Sequence, residues 1–246
     1  MTFKRMILAA LILGGIVVLM GLGFWQVQRM GEKNAMITRV EEGLSAAPVS
    51  VSEIAARLKA GDDIEYRPAT AEGTFLHEGE AHYFATWNGE TGFFIYTPLK
   101  QRNGHILFVN RGFVPYADKE ASARPLGQVE GPVTISGLAR SAPAEKPNRL
   151  VPDNDMAKNV FYWKNLTQMV ARAYGLDGAR VEPFFLDADD TVMGGAKAPL
   201  GGVTRIAFSD NHLQYALTWF GLALALMVVG GWFFFSSRSS SVKDAP

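Results

Sequence analysis

His212, Tyr215 and Trp219 are the residues of this sequence whose types and spacing most directly suggest chemistry. On a helix they fall at i, i+3 and i+7, so they share one face with an imidazole at its beginning. Such an imidazole could bind a metal ion or a haem iron. The alternative is an interfacial belt in which His, Tyr and Trp anchor the end of a membrane helix. The spacing alone leaves both interpretations open.

The stretch that must position these side chains is long enough to cross a lipid bilayer. From Leu213 onward roughly 23 residues carry no charge, which at about 1.5 Å per residue spans the hydrocarbon core of ~30 Å. Because no water is available in that core, the backbone must satisfy its own hydrogen bonds as a helix. The sequence therefore predicts a transmembrane helix over residues 212–235, followed by a cytoplasmic tail over residues 236–246.

The N-terminal segment predicts another membrane span. Residues 6–23 are uncharged and apolar. A signal peptide begins in the same way, but its apolar region is usually shorter and ends at a small-residue cleavage site. Here the apolar run passes directly into Phe-Trp-Gln-Val-Gln-Arg, so we predict a retained transmembrane helix over residues 6–28, after a cytoplasmic N-terminus of residues 1–5. A helical pattern continues beyond the span as far as Pro48.

Basic residues outside the two spans set their orientation: Lys4, Arg5, Arg238 and Lys243. Cytoplasmic ends of membrane proteins carry an excess of Lys and Arg, so both termini are predicted to be cytoplasmic and the two helices antiparallel. Residues 29–211 then form an exported domain. Small residues spaced four apart, which allow two helices to approach closely, occur in both spans: Ala10 and Gly14, and Gly221 and Ala225.

Trp25 and Arg29 lie one helical turn apart at the end of the first span. Antiparallel helices would bring this end close to His212 at the outer surface of the membrane. Arg29 could bind a carboxylate there, such as a haem propionate or Asp210. Alternatively its side chain could reach out to the lipid headgroups.

Composition excludes several classes of function. The 246 residues contain 24 Lys and Arg, 24 Asp and Glu, and no Cys. A balanced charge gives no indication of nucleic-acid binding, and the lack of Cys excludes disulfides, thiolate metal sites and a Cys nucleophile. His77 and His82 could offer metal ligands, but their spacing places them on opposite faces of a strand, and we predict a surface loop there. The sequence contains no phosphate-binding loop and no obvious hydrolase triad.

The exported domain is predicted to be α+β and mainly antiparallel, with strands that could close into a small barrel. Ser50 and Glu53 have the spacing of a capping box and Gly61 ends the helix that follows. Asn-Gly pairs at 88–89 and 103–104 predict two hairpin turns, with positive φ at both residues of each pair, and hence an antiparallel meander. Further elements are predicted over these ranges: strands 64–75, 82–87, 93–99, 105–115, 133–140, 181–186 and 203–208, and a helix over 165–174.

Five segments in this order resemble the Surfeit locus protein one family, a family of cytochrome c oxidase assembly factors: WQVQR (25–29), VNRGFVP (109–115), FFLDAD (184–189), PLGGVTR (199–205) and NHLQYALTWFGLA (211–223). The resemblance covers nearly the whole chain, including both spans. It is poorer over residues 31–61 and 117–131.

The resemblance implies a role in maturing the haem-copper oxidase, at or near the step at which haem a enters the catalytic subunit. Bacterial members are associated with binding haem a, and the favoured ligand is a histidine at the start of the second span, which here is His212. Tyr215 and Trp219 could then line the porphyrin face beside Trp25. Arg29 or Arg205 could meet the propionates.

We therefore expect a non-enzymatic protein with two spans in the bacterial inner membrane, or the mitochondrial inner membrane if the source is eukaryotic, and a periplasmic domain. Its expected cofactor is transiently bound haem a. Its expected partners are the oxidase catalytic subunit, other assembly factors and membrane lipid, but not nucleic acid. The alternative is a scaffold that stabilises a partly assembled oxidase subunit without binding haem, with His212 as an interfacial anchor.

Overall fold

The structure of this chain is a computed structural model that describes residues 3–173, 175–176, 178–190, 198–203 and 211–239. The chain divides into two units, one formed by Met1–Arg39 with Ala207–Pro246 and the other by Val40–Ile206. The described helices are α1 (Phe3–Leu44), α2 (Val51–Ala60), α3 (Leu166–Arg172) and α4 (His212–Ser239). The described strands are β1 (Val49–Ser50), β2 (Pro68–Phe75), β3 (Ala81–Trp87), β4 (Glu90–Gln101), β5 (Ile106–Pro115), β6 (Pro132–Ser141) and β7 (Val181–Ala188).

The first unit is a pair of long apolar helices. Residues early in α1 pack against residues late in α4, since Ile12 approaches Gly230 while Gly23 approaches Phe220, so the helices are antiparallel. Met6–Ala35 and His212–Phe233 are long and apolar enough to cross a membrane. Within the most apolar 18-residue stretch of each, only 6% and 17% of the residues are buried. A water-soluble core helix would bury most of these side chains, so their exposure is consistent with membrane anchoring.

Small residues on α4 recur every seven positions where the helix is buried: Ala216, Ala223 and Gly230. Seven residues make nearly two full turns, so these positions form one narrow stripe along the helix. The two helices do pack on each other, but not through the small residues four apart, because a Cβ at Gly14 or Gly221 would have no neighbour within 4 Å. The helices approach each other on a different face from the one that this spacing suggested.

The second unit is built on a closed β-barrel. Five strands pair in a ring in the order β2, β6, β7, β5 and β4, and β4 returns to β2. β1 extends the sheet from β2 and β3 extends it from β4. The β5–β7 and β1–β2 pairs are parallel and the other pairs are antiparallel. The mainly antiparallel α+β class with a small barrel is thus confirmed, and closure protects strands that would otherwise expose an edge.

The two Asn-Gly turns of the β3–β4–β5 meander differ in their backbone conformation. Asn88 and Gly89 have φ values of 49° and 83°, as the sequence predicts for a two-residue hairpin turn. At the next turn only Gly104 has a positive φ, of 82°. Asn103 instead accepts a hydrogen bond from the His105 backbone N–H at 2.9 Å through its side chain. The meander is confirmed, but the prediction of positive φ at Asn103 was wrong, because the Asn103 side chain forms the hydrogen bond that closes this turn.

Capping residues fix the short helices of this unit. The Ser50 hydroxyl accepts a hydrogen bond from the Glu53 N–H at 3.2 Å, and Gly61 ends α2 with a φ of 87°. Asn165 caps α3, which ends at Arg172, short of the predicted boundary at 174. The predicted strand over 203–208 falls almost entirely outside the described residues, as do Arg205 and Asp210.

The barrel interior is filled mainly by aliphatic side chains and phenylalanines. Its largest cluster comprises Val51, Ile54, Ile64, Ala69, Ala71, Phe75, Leu99, Leu107, Val109, Ile135, Ala139, Phe184, Leu186 and Ala188. Val51 and Ile54 come from α2, so that helix covers one part of the core. This packing holds β3–β7 in fixed positions, and those strands in turn position the polar side chains of the domain.

Candidate functional site

His212 at the start of α4 is hydrogen-bonded to Gln26 of α1, with Nδ1 lying 2.7 Å from the amide oxygen Oε1. An amide oxygen only accepts, so Nδ1 donates, and in the neutral ring the lone pair is then on Nε2. The nitrogen with the lone pair is the one that can ligate a metal, and a hydrogen bond from the other nitrogen fixes the ring orientation. The contact therefore selects the imidazole form suited to binding haem iron through Nε2.

Packing between α1 and α4 positions this pair. The ring of Phe220 lies so close to Gly23 that a Cβ there would come within 2.5 Å of it, and the rings of Phe24 and Phe220 are 5.4 Å apart. Gln26 lies two residues beyond Phe24 and is only 9% exposed. The sequence reasoning missed Gln26, although a signal existed: it is the first amide side chain in an otherwise apolar run, close to the end predicted to face His212.

Of the aromatic residues predicted around His212, Tyr215 and Trp219 lie in the first turns of α4, and Trp25 is next to Gln26 in the middle of α1. Tyr215 and Trp25 are 54% and 52% exposed, and Trp219 is half-buried. The Tyr215 N–H donates to the Asn211 carbonyl at 3.1 Å, so the first turn of α4 is formed at His212 itself. Their exposed rings are available to line a flat ligand or to anchor the helices among lipid headgroups.

Arg29 is paired on its own helix. Its guanidinium lies 2.8 Å from the carboxylate of Glu32, with both side chains about half exposed. A surface ion pair of this kind contributes less than about 1 kcal/mol, so an incoming carboxylate could replace Glu32. The proposed alternative partner Asp210, and Arg205 as a second propionate ligand, lie outside the described residues.

A different polar cluster is buried in the barrel unit around Glu80. His82 Nε2 donates to the Glu80 carboxylate at 3.0 Å, Arg124 also donates to that carboxylate, and Asn159 donates to the Glu80 carbonyl at 2.9 Å. Glu80, His82 and Arg124 are 4%, 3% and 0% exposed. The prediction of a surface loop at His82 was therefore wrong, because a carboxylate–arginine pair compensates its burial.

The neighbouring His77 is also held by the fold. Its Nε2 donates to the Val129 carbonyl at 2.8 Å. Burial lowers the pKa of His77, and the nearby Arg111 adds to this effect. For Glu80, burial opposes ionisation, but the His82 hydrogen bond and the charge of Arg124 together hold its pKa below the usual value. Among the described residues, no group of three or more His, Cys, Asp and Glu side chains could hold a metal ion.

Arg111, a buried residue of β5, caps a backbone carbonyl. Its guanidinium donates to the Gly127 carbonyl and lies 4.7 Å from the centre of the Phe75 ring. Gly112 has a φ of 118° and sits directly against the backbone of Leu200. The conspicuous VNRGFVP segment therefore has a structural explanation within the barrel.

These features define a class of protein in which two apolar helices flank, along the chain, a β-barrel domain. The chain matches the SURF1 family model over residues 13–224, and it belongs to that family. It is 34% identical to Surfeit locus protein 1 of Xenopus tropicalis, over 83% of this chain and 68% of that protein. It is likewise 34% identical to Surfeit locus protein 1 of Homo sapiens, over 83% of this chain and 70% of the relative. A SURF1-like protein of Monosiga brevicollis is 31% identical, over 92% and 86% of the two chains.

Proposed function

We propose that this protein is a membrane-anchored assembly factor of cytochrome c oxidase, and that it holds haem a through His212 while the haem is inserted into the catalytic subunit. Membership of the SURF1 family supports the assembly role in general, and an assembly-factor family is consistent with a non-enzymatic protein. The single observation behind the haem step is the hydrogen bond from His212 Nδ1 to Gln26, which orients the imidazole and places the lone pair of its neutral form on Nε2.

A single protein ligand suits a transient complex. One axial imidazole holds the haem iron while the opposite face stays accessible to the acceptor subunit. The exposed rings of Trp25 and Tyr215 offer apolar surface for the porphyrin, and Arg29 offers a guanidinium that can exchange Glu32 for a propionate. These three side chains would orient the cargo without enclosing it.

The proposed topology places both termini in the cytoplasm and the barrel domain on the opposite side of the membrane. Support comes from the basic residues beside each span and from the exposed apolar surfaces of both helices. His212 and Gln26 then lie at the outer boundary of the bilayer, where a haem moving from lipid to an oxidase subunit would pass. The oxidase catalytic subunit is the expected partner.

Haem binding is tested by purifying the full chain in mild detergent from cells that make haem a. We expect the wild-type protein to carry haem with the absorption spectrum of histidine ligation, and His212→Ala to lose that spectrum. Gln26→Leu should weaken haem retention by about 10- to 100-fold, the usual effect of removing a partner of a metal-ligating histidine. His105→Ala serves as a matched control, because His105 pairs with Glu182 in the barrel unit.

The alternative is a scaffold that binds the oxidase subunit but no haem. The exposed rings of Trp25 and Tyr215 are also compatible with this scaffold, since such rings anchor helices at membrane interfaces. Wild-type protein that co-purifies with the catalytic subunit, yet carries no haem, would establish the scaffold and refute the haem proposal. Haem retained by His212→Ala would assign the ligand to another residue.

A further inference from the structure

A cavity of about 310 Å³ opens in the barrel unit beside β3 and β4. Aromatic side chains form much of its wall: Tyr83, Trp87, Phe94 and Tyr96. The rings of Tyr83 and Phe94 are stacked with centres 6.4 Å apart, and Tyr96 meets Tyr83 edge-on at 6.2 Å. This volume is at the lower end of the roughly 300–1,000 Å³ typical of ligand pockets, so it suits a small flat molecule.

The carboxylate of Asp187, which lines this cavity, already accepts hydrogen bonds from its neighbours. Asn110 donates to one oxygen of Asp187 at 3.0 Å, and Arg140 donates to the other at 3.1 Å. Arg140 also donates to Glu65 at 2.6 Å. Two carboxylates therefore share one guanidinium, and these hydrogen bonds fix the polar side chains on this side of the cavity.

Two donors that line the same cavity have no acceptor among the residues that the structure describes. Within that part of the chain, the fully buried Tyr96 hydroxyl has no hydrogen-bond partner. Among the residues that the structure describes, Lys164 has no hydrogen-bond or ion-pair partner either, and its Nζ lies 5.6 Å from the centre of the Tyr96 ring. An unsatisfied buried hydroxyl is destabilising, and a ligand oxygen that accepts its hydrogen bond would remove that penalty.

The pKa shifts of Lys164 and Tyr96 are consistent with two buried donors that lack an acceptor. Burial lowers the pKa of Lys164, against the opposing attraction of Asp187. Burial also raises the pKa of Tyr96, and the negative charge of Asp187 adds to this effect. The hydroxyl therefore stays protonated and can donate a hydrogen bond to a ligand. An anionic oxygen between the two donors would be stabilised by both.

We propose that this cavity binds a flat, largely apolar molecule that carries a carboxylate. The carboxylate accepts hydrogen bonds from Lys164 and Tyr96, and the ring packs against Tyr83, Trp87 and Phe94. A carboxylate is favoured over a neutral carbonyl because no described anion lies within ion-pair distance of the Lys164 ammonium, while Asp187 and Glu65 are both paired with Arg140. The proposal concerns the barrel unit alone and does not depend on haem binding at His212.

The test is equilibrium dialysis of 2-naphthoate against the full chain in lipid nanodiscs, with empty nanodiscs as the blank. We expect one saturable site. Lys164→Met should weaken binding by about 10-fold or more, because a charge-assisted hydrogen bond is lost, and Tyr96→Phe by about fivefold. Neutral 2-acetylnaphthalene should bind more weakly than 2-naphthoate. Binding of 2-naphthoate should also weaken as the pH rises through the lowered pKa of Lys164.

Lys59→Met is the matched control, because Lys59 is an exposed lysine of α2 that does not line this cavity. It should leave binding unchanged, and circular dichroism should show that each variant remains folded. Absence of saturable binding overturns the proposal. Equal binding by the Lys164→Met and Lys59→Met variants also overturns it. The same holds if 2-acetylnaphthalene binds as tightly as 2-naphthoate, since either result would show that the site does not recognise the carboxylate.

Discussion

His82 in the barrel unit and His212 in the helix pair occupy contrasting environments. His82 is 3% exposed, donates to Glu80 and accepts from Asn159 at 3.3 Å, so protein partners use both ring nitrogens. His212 is half-buried at the beginning of a helix, and its Nδ1 is held by the neutral amide of Gln26. A histidine enclosed by charged partners stabilises its fold, whereas one oriented by an amide at a helix end has the geometry of a ligand.

The energetics of the two regions should differ accordingly. Removing one partner of a buried charge pair leaves the other uncompensated, which is far more costly than losing a neutral hydrogen bond near the surface. Substitutions around Glu80 should therefore lower the free energy of unfolding of the barrel, and substitutions around His212 should not. Four predictions test this difference, in order of their expected effect on barrel stability.

Glu80→Leu should destabilise the barrel by about 3–5 kcal/mol, because it leaves the fully buried Arg124 without its carboxylate. The measurement is denaturant unfolding of the full chain in detergent, followed by the circular dichroism of the β-sheet. The control is Glu72→Leu, which removes an exposed ion pair with Arg102 and should cost less than about 1 kcal/mol. Equal losses in the two variants would show that the buried cluster contributes no special stability.

Gly112→Ala should destabilise the barrel by about 2–4 kcal/mol, because its φ of 118° disfavours a side chain and a Cβ would clash with the backbone of Leu200. Gly104→Ala is the matched control: its φ of 82° is also positive, but the space around it is open, so about 1 kcal/mol is expected. The same unfolding experiment measures both. A loss at Gly112 no larger than that at Gly104 would contradict the steric argument.

The barrel should lose stability as the pH falls below about 6.5, by less than either substitution above. Burial lowers the pKa of His77 in the folded protein, so the unfolded chain binds a proton first as the pH decreases from the ordinary value of 6.5. A further loss should follow below 4.5, because the pKa of Glu80 is also lowered on folding. Unfolding free energies measured across this range provide the test. The first decline should disappear in His77→Gln, and its persistence there would assign it to another group.

His212→Ala and Gln26→Leu should change the unfolding free energy of the barrel by less than about 0.5 kcal/mol, since neither residue belongs to the barrel unit. Both should nevertheless reduce haem retention in the purification experiment. Measuring barrel unfolding in these variants separates loss of a ligand from loss of folding. A large destabilisation of the barrel by either substitution would show that His212 is a structural residue after all.

Much of the fold could be predicted because local signals were strong. The caps at Ser50 and Gly61, the Asn88-Gly89 turn and the two apolar helices all depend on residues close together in the chain. The site could be predicted only in part. His212 stood out by its type and position, whereas its partner Gln26 is 186 residues away in sequence and became evident only when the helices were seen to pack. The burial of His82 was missed for the same reason, since Arg124 lies far along the chain.

Two membrane-length apolar helices, an α+β domain between them and membership of a family could be inferred without a structure, because hydrophobic patterning, turn chemistry and ordered motifs are properties of the chain. The folded structure was needed to show how the barrel closes from β4 to β2, at which small residues the helices approach each other, and which nitrogen of His212 donates to Gln26. These depend on contacts between residues distant in sequence. Such contacts form only where the packing of the whole unit makes them compatible with one another.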